Sequence, residues 1–231
     1  MTLRPVLAAA AFLLWPAAIL AGESDPAAAC RAATGKAAIE PCERALKADS
    51  GDLESGFKLA WAMLGHNRET DAVELFTQLA EAQPENEDAH FNLAGALASV
   101  SAYEAATPPI ERALALTAGQ PRTQKLAAAI YLNSRSYEKA HAMHVKLAAA
   151  GDRTSMFDLA EDYALGRGAG YDQPAARHWY EEAAKAGHVG AMTVLAAKLE
   201  SGAFGDPKDP EGAVYWRRQA AEAARGLPGW K

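Results

Sequence analysis

The chain predicts an all-α fold, a right-handed α-solenoid of stacked antiparallel helix pairs, and three observations carry that prediction. Ala72, Ala106, Ala140, Ala176 and Ala213 recur at steps of 34, 34, 36 and 37 residues. A period of that size corresponds to one helical hairpin per step, each stacked on its neighbours because it cannot bury its apolar face alone. Leu, Ala, Glu, Lys and Gln dominate, and no stretch sustains the period-two alternation of a half-buried strand. Polar or Gly-rich turns separate the apolar stripes, as antiparallel pairing of consecutive helices requires.

Residues 1–21 stand apart from the array. Arg4 is their only charged side chain, residues 5–21 are almost wholly apolar, and Glu23, Ser24 and Asp25 turn the chain abruptly polar. A basic start, an apolar middle and a small-residue exit are the layout of a secretory signal peptide, here cleaved after Ala21 with Pro16 interrupting the apolar helix. An uncleaved anchor is the alternative, since the stretch is only slightly short of the ~20 residues a membrane helix needs. A lipoprotein site is not formed, because Ala27-Ala28-Ala29-Cys30 lies beyond the charged patch. The expected location is therefore periplasmic or secreted. Cleavage takes the net charge from −6 to −7, a balance that argues against nucleic acid, whose binding relies on Lys and Arg neutralising phosphates. No second stretch is long and apolar enough to span a bilayer, so no stable membrane insertion is expected after cleavage.

The two cysteines, Cys30 and Cys42, both fall early in the mature chain. In an exported protein such a pair reads as a disulfide. If residues 27–34 and 36–47 are antiparallel helices, the two cysteines sit six residues either side of Lys36, at equal height on facing helices with Cα atoms about 4–5 Å apart, inside disulfide range. The bond would staple the terminal repeat and stabilise it by about 2–3 kcal/mol in the chain-entropy picture. A redox role is the rival reading, though the spacing is not C-x-x-C.

Residues 56–84 show the repeating unit. Leu59, Ala60 and Met63 make one apolar stripe and Ala72, Leu75, Phe76 and Ala80 a second, with a polar turn at 66–70 and Pro84 closing the second helix. Leu59-Ala60, Ala72, Phe76 and Pro84 resemble the tetratricopeptide repeat. Leu93-Ala94, Tyr103, Ala106 and Ala113 repeat the pattern, as do Ala127-Ala128, Tyr131, Tyr137 and Ala140. The consensus first-helix Trp is absent, and Ala118 stands where a Pro is expected. Pro108-Pro109 falls inside a second helix and predicts a kink or a late start there.

From Ser155 the pattern changes. Leu165-Gly166-Arg167-Gly168, then Ala176-Arg177-His178-Trp179-Tyr180-Glu181-Glu182-Ala183-Ala184 and Gly187, resembles a Sel1-like repeat, a relative of the tetratricopeptide unit with a longer Gly-rich turn. A looser copy has Leu195-Ala196, Gly202, Ala213, Tyr215-Trp216 and Ala220-Ala221. The organisation expected is a signal peptide at 1–21, a degenerate hairpin with the disulfide at 22–52, tetratricopeptide-like repeats at 53–150, Sel1-like repeats at 151–225 and a tail at 226–231. Six hairpins would form a curved rod on the order of 60 Å long. Gly166, Gly168 and Gly187 are expected to supply turns at positive φ, with Trp179 and Tyr180 packing against the next hairpin. Leu227 and Trp230 are expected to fold back over the last hairpin.

Chemistry leaves few traces. The 166–170 glycines follow a helix and lack both the Lys-Ser/Thr and the G-x-G-x-x-G patterns of phosphate loops. His141 and His144 share a helix face, but no third ligand is evident from sequence, and His144 takes the place of Phe76 in an earlier unit, so packing is its default role. Ser55-x-x-Lys58 and Ser136-x-x-Lys139 match S-x-x-K without the companion motifs of penicillin-interacting enzymes. No catalytic residue, cofactor or metal is expected.

Phe57, Phe91 and Phe157 occupy equivalent places in three first helices, Lys125 holds that place between them, and Trp61 lies one turn beyond Phe57. Either these rings pack between adjacent first helices, or they line a concave partner-binding groove; in tetratricopeptide arrays first helices face that groove. The resemblance implies a non-enzymatic scaffold that binds a protein or peptide partner in envelope assembly or signalling. A periplasmic hydrolase of cell wall or β-lactam and a self-associating structural protein are the alternatives.

Overall fold

The computed structural model describes residues 25–226 except 118 and 206. The signal segment at 1–21, the Ala118 position and the fold-back of Leu227 and Trp230 lie outside the described residues.

Among the described residues six helix pairs follow one another. They are α1 (Pro26–Ala32) with α2 (Ile39–Ala48), linked through a 3₁₀ turn at Gly35–Ala38; α3 (Leu53–Leu64) with α4 (Glu69–Ala82); and α5 (Glu87–Ser99) with α6 (Tyr103–Leu116). The array continues with α7 (Pro121–Asn133) and α8 (Tyr137–Ala149), α9 (Arg153–Leu165) and α10 (Gln173–Lys185), and α11 (Val189–Ser201) and α12 (Pro210–Ala224). Each helix packs chiefly on the one before and the one after it, the contact pattern of a right-handed α-solenoid. The buried side chains accordingly form a chain of local clusters rather than one central core. Among the described residues no helix is long and apolar enough to cross a membrane.

The alanine ladder is a packing register. Ala72, Ala106, Ala140, Ala176 and Ala213 are each the fourth residue of their second helix, and none is more than 1% exposed. A Cβ and nothing larger at this place lets the paired helices approach closely. The partner register is the seventh and eighth residues of the first helices: Leu59-Ala60, Leu93-Ala94, Ala127-Ala128, Leu159-Ala160 and Leu195-Ala196, all buried. The eighth residue of the second helices carries the bulk, with Phe76, Ile110 and Tyr180 fully buried, each burial contributing roughly 1.5–3 kcal/mol.

Cys42 is the fourth residue of α2, the ladder position. Its disulfide to Cys30 on α1 spans a Cα–Cα distance of 4.6 Å, within the expected range, and both cysteines are fully buried. A covalent bond thus joins the first pair where the other pairs rely on a close alanine contact.

Among the described residues five first helices open with a side-chain cap, Asp25 on α1 and His188 on α11 accepting from Ala27 and Ala191 N–H at 3.1 Å each, and three more between them. Asp52, Asn86 and Asp152 accept from the backbone N–H groups of Ser55, Ala89 and Ser155 at 3.1, 3.2 and 2.9 Å, satisfying donors the helix cannot. The turns inside the pairs differ along the chain. Asn67, Ser101 and Arg135 take φ near 60° in the short turns before α4, α6 and α8, whereas Gly166 (φ 67°) ends α9 and Gly168 (φ 72°) follows in a longer loop. Gly168 is required sterically as well as conformationally: a Cβ there would lie 2.1 Å from the Tyr137 carbonyl oxygen on α8.

The α6 helix departs from expectation. It begins at Tyr103, ahead of Pro108 and Pro109, so the late start does not occur. The prolines remove two backbone donors in the second turn. The Ala106 N–H still reaches the Ala102 carbonyl at 3.0 Å and the Thr107 hydroxyl donates to the Tyr103 carbonyl at 3.1 Å, holding the first turn.

Candidate functional site

The first helices form the inner row of the solenoid. α3, α5 and α7 touch one another in sequence, whereas among the described residues no comparable contact joins α4 to α6 or α6 to α8. The row with the closer helices is the concave one, and Phe57, Phe91 and Lys125 are the fifth residues of its α3, α5 and α7, with Phe157 the fifth residue of α9.

The three phenylalanines there are half-buried and engaged. Phe57 stacks on Phe76 with ring centroids 6.3 Å apart. Phe91 lies under the Arg122 guanidinium at 4.8 Å, and Arg122 is itself ion-paired with Glu87 and Asp88. Phe157 meets Tyr180 edge-on at 5.7 Å and stacks on His188 at 4.6 Å. Trp61 differs, being 43% exposed. Its Nε1–H donates to Asn92 Oδ1 on α5 at 3.1 Å, and its indole passes close to Gly95, where a Cβ would come within 3.6 Å. Trp61 therefore bridges two first helices while leaving much of its ring to solvent.

Lys125 leads to a feature that the sequence does not reveal. Among the described residues the direct contact between successive first helices lapses after α7, and a cavity of about 340 Å³ opens between α7 and α9. Ala128, Ala129, Leu132 and Asn133 form the α7 wall, His144 and Leu147 of α8 the floor, and Asp152, Thr154, Ser155 and Asp158 the far side. Lys125 crosses to Asp152 as an ion pair. Burial pushes the Asp152 carboxyl pKa upward, but the Lys125 ammonium and the Ser155 N–H and hydroxyl outweigh it and hold the carboxyl below its ordinary value. Asp158 goes the other way: burial raises it, the neighbouring Asp162 and Asp152 charges add, and His144 and Arg167 only partly oppose.

Beneath the cavity floor lies a buried polar cluster. His144, 3% exposed, donates its Nδ1–H to Asp162 Oδ2 at 2.8 Å, and His141 donates to the same oxygen at 3.3 Å. An acid is thus aimed at the histidine pair, correcting the expectation that none was. It comes from α9, 18 residues beyond His144, and only the α8–α9 packing brings it there. The signal available in sequence was a polar residue in an apolar slot, since Ala62, Ala96 and Ile130 hold the equivalent tenth position of α3, α5 and α7. Both histidines spend the same nitrogen as a donor to one carboxylate oxygen, which leaves no convergent lone pairs. Among the described residues no group of three or more His, Cys, Asp and Glu is arranged to hold a metal ion.

The remaining motifs are placed as follows. The Lys58 ammonium donates to the Arg31 carbonyl at 2.6 Å and Lys139 pairs with Glu111 at 2.6 Å, so both lysines of the S-x-x-K matches are occupied elsewhere. The 166–170 glycines build the turn against α8.

No protein-family model matches the chain, and no curated protein matches it significantly. Solved structures do. A Sel1 repeat protein from Oxalobacter formigenes aligns at 25% identity over 80% of this chain and 76% of that one, with a TM-score of 0.53. MamA AMB-1 aligns at 20% identity over 75% of this chain and 90% of its own, with a TM-score of 0.54. The protective antigen c5321 of uropathogenic Escherichia coli, with an SLR fold, aligns at 20% identity and a TM-score of 0.53; this chain covers 45% of its length. Taken with the ladder, the paired helices and the two kinds of turn, these likenesses make the chain a tetratricopeptide- and Sel1-like repeat protein in fold.

Proposed function

We propose that this chain is an exported, non-enzymatic repeat scaffold that holds a protein or peptide partner along its concave row, in envelope assembly or signalling. The observation that carries the reading is the inner face itself. The 43%-exposed Trp61 spans α3 and α5, and an open cleft of about 340 Å³ follows between α7 and α9. Aromatic anchors beside a pocket are what a peptide-binding surface needs. Phe57, Phe91 and Phe157 support that surface from beneath while packing it, and Lys125 stands at the cleft wall. The disulfide and the apolar 1–21 segment favour an oxidising compartment.

The test is capture from native envelope extract by the mature protein and by Trp61→Ala with Lys125→Glu. Loss of a partner in this variant, with retention by the outer-helix control Lys146→Glu, supports the reading; equal capture by all three overturns it. Turnover of nitrocefin or peptidoglycan by pure protein would replace it with an enzyme. A second reading, end-on self-association, is favoured by the exposed Val214 and Tyr215 of α12; light scattering over a range of concentrations separates it from a monomeric adaptor.

A further inference from the structure

The α7–α9 cleft is rich in acceptors and short of donors. Asp158 lines it with no hydrogen-bond or ion-pair partner among the described residues, and neither does Thr154 have one. Asn133 spends one of its two side-chain N–H groups on the Ala129 carbonyl at 2.8 Å, and its side-chain oxygen accepts no hydrogen bond among the described residues. Lys125 is committed to Asp152 and the His144 N–H to Asp162, while Arg167 lies 3.8 Å from Asp162. The walls between are apolar, from Ala128, Ala129, Leu132 and Leu147.

We propose that this cleft is a pocket for one long basic side chain, arginine foremost, of the polypeptide bound in the groove. The proposal rests on the groove reading above and names the chemistry of its occupant. A volume of about 340 Å³ is at the small end for a ligand site and suits a single extended side chain. The methylene stem lies on the alanine and leucine wall, as long basic side chains do on apolar surface. The planar guanidinium offers five donors in a fixed fork, set against the Asp158 carboxylate, the Asn133 oxygen and the Thr154 hydroxyl. An acidic or neutral occupant would leave the half-buried Asp158 carboxylate without a direct ion-pair partner, opposed only in part by its surroundings, which is costly.

The experiment titrates the mature protein with the blocked peptide acetyl-Ala-Leu-Arg-Ala-Leu-amide and with its citrulline counterpart, neutral but nearly the same shape, by calorimetry. The arginine peptide is expected to bind roughly tenfold or more tighter, and Asp158→Asn with unchanged circular dichroism is expected to remove the difference. Equal affinity for the two peptides, no measurable binding of either, or a preference that survives Asp158→Asn overturns the pocket. The wild-type comparison needs no variant to fold. Partner capture by Trp61→Ala alone, a change on α3 outside the cleft lining, judges the groove separately, so either reading can fail while the other stands.

Discussion

His144 on α8 and Asp162 on α9 form a buried hydrogen bond of 2.8 Å, with 3% and 1% of their surfaces exposed, where most of the other repeats place apolar side chains. His144 fills the slot of Phe76, Ile110 and Tyr180; Asp162 fills that of Ala62, Ala96 and Ile130. Each substitution alone would bury an unsatisfied polar group, and together they satisfy one another. The pair sits at the single junction where the short-turn hairpins meet the Gly-turn hairpins. Asp162→Ala leaves two histidines without their shared acceptor and the Arg167 guanidinium without the carboxylate 3.8 Å away, and is expected to cost about 3–5 kcal/mol. Asp162→Asn, which keeps one acceptor, is expected to cost less. Urea unfolding of the two variants checks the order.

Asp152 and Asp158 make opposite demands on pH. Asp152 caps α9 and pairs with Lys125, and its folded-state pKa lies below the ordinary value. Its stabilisation is thus fully present above about pH 3.9 and is lost as pH falls through the depressed folded value. Asp152→Asn keeps a capping oxygen but loses the charge, so its urea midpoint should fall below wild type near neutral pH and converge with it once pH falls below the depressed folded value. The Asp158 pKa is raised on folding, so its ionised form opposes folding above that raised value and does not below the ordinary one. Asp158→Asn should be slightly more stable than wild type at pH 7, with the gain fading as pH approaches about 3.9. A lower midpoint at pH 7 would contradict the assignment of an unpaired carboxylate.

The Cys30–Cys42 bond closes a loop with a sequence separation of 12 at the exposed end of the array, worth about 2–3 kcal/mol in the chain-entropy picture. Because each hairpin contacts only its neighbours, the loss on reduction should stay local. Amide hydrogen exchange is expected to quicken over α1–α3 and to remain unchanged over α9–α12. Free thiols in protein taken from the envelope would remove the staple altogether.

Gly168 and Gly170 lie two residues apart and should respond oppositely to alanine. At Gly168 the backbone is left-handed and a Cβ would run into the Tyr137 carbonyl, whereas at Gly170 no atom lies within 4 Å. Gly168→Ala is expected to cost about 2 kcal/mol or more and Gly170→Ala under about 0.5 kcal/mol, read as changes in urea midpoint.

Much of this was legible in the chain itself. The alanine ladder marked the fourth residue of every second helix from α4 to α12, because a helix period and a repeat spacing are local properties that the sequence carries directly. The glycines at 166, 168 and 187 do take positive φ, and the cysteine spacing placed Cα atoms at disulfide distance. Of the kink or late start expected at Pro108-Pro109, the late start does not occur, because two missing donors in a second turn did not move the start of a helix whose first turn is otherwise held. The Phe57, Phe91 and Phe157 stripe showed which positions correspond, but not that Phe76, Arg122, Tyr180 and His188 would take up those rings.

By itself the sequence determined the repeat, its two kinds of turn, the helix faces and the staple, since each follows from spacing along one or two adjacent helices. Only the tertiary structure decided that α7 and α9 part to leave a cleft, that Lys125 is committed to Asp152 while Asp158 is left over, and that Asp162 reaches His144. Those three depend on how far apart successive hairpins settle and at what register they cross. Both are set by the fit of many side chains at once, and no fixed interval along the chain encodes them.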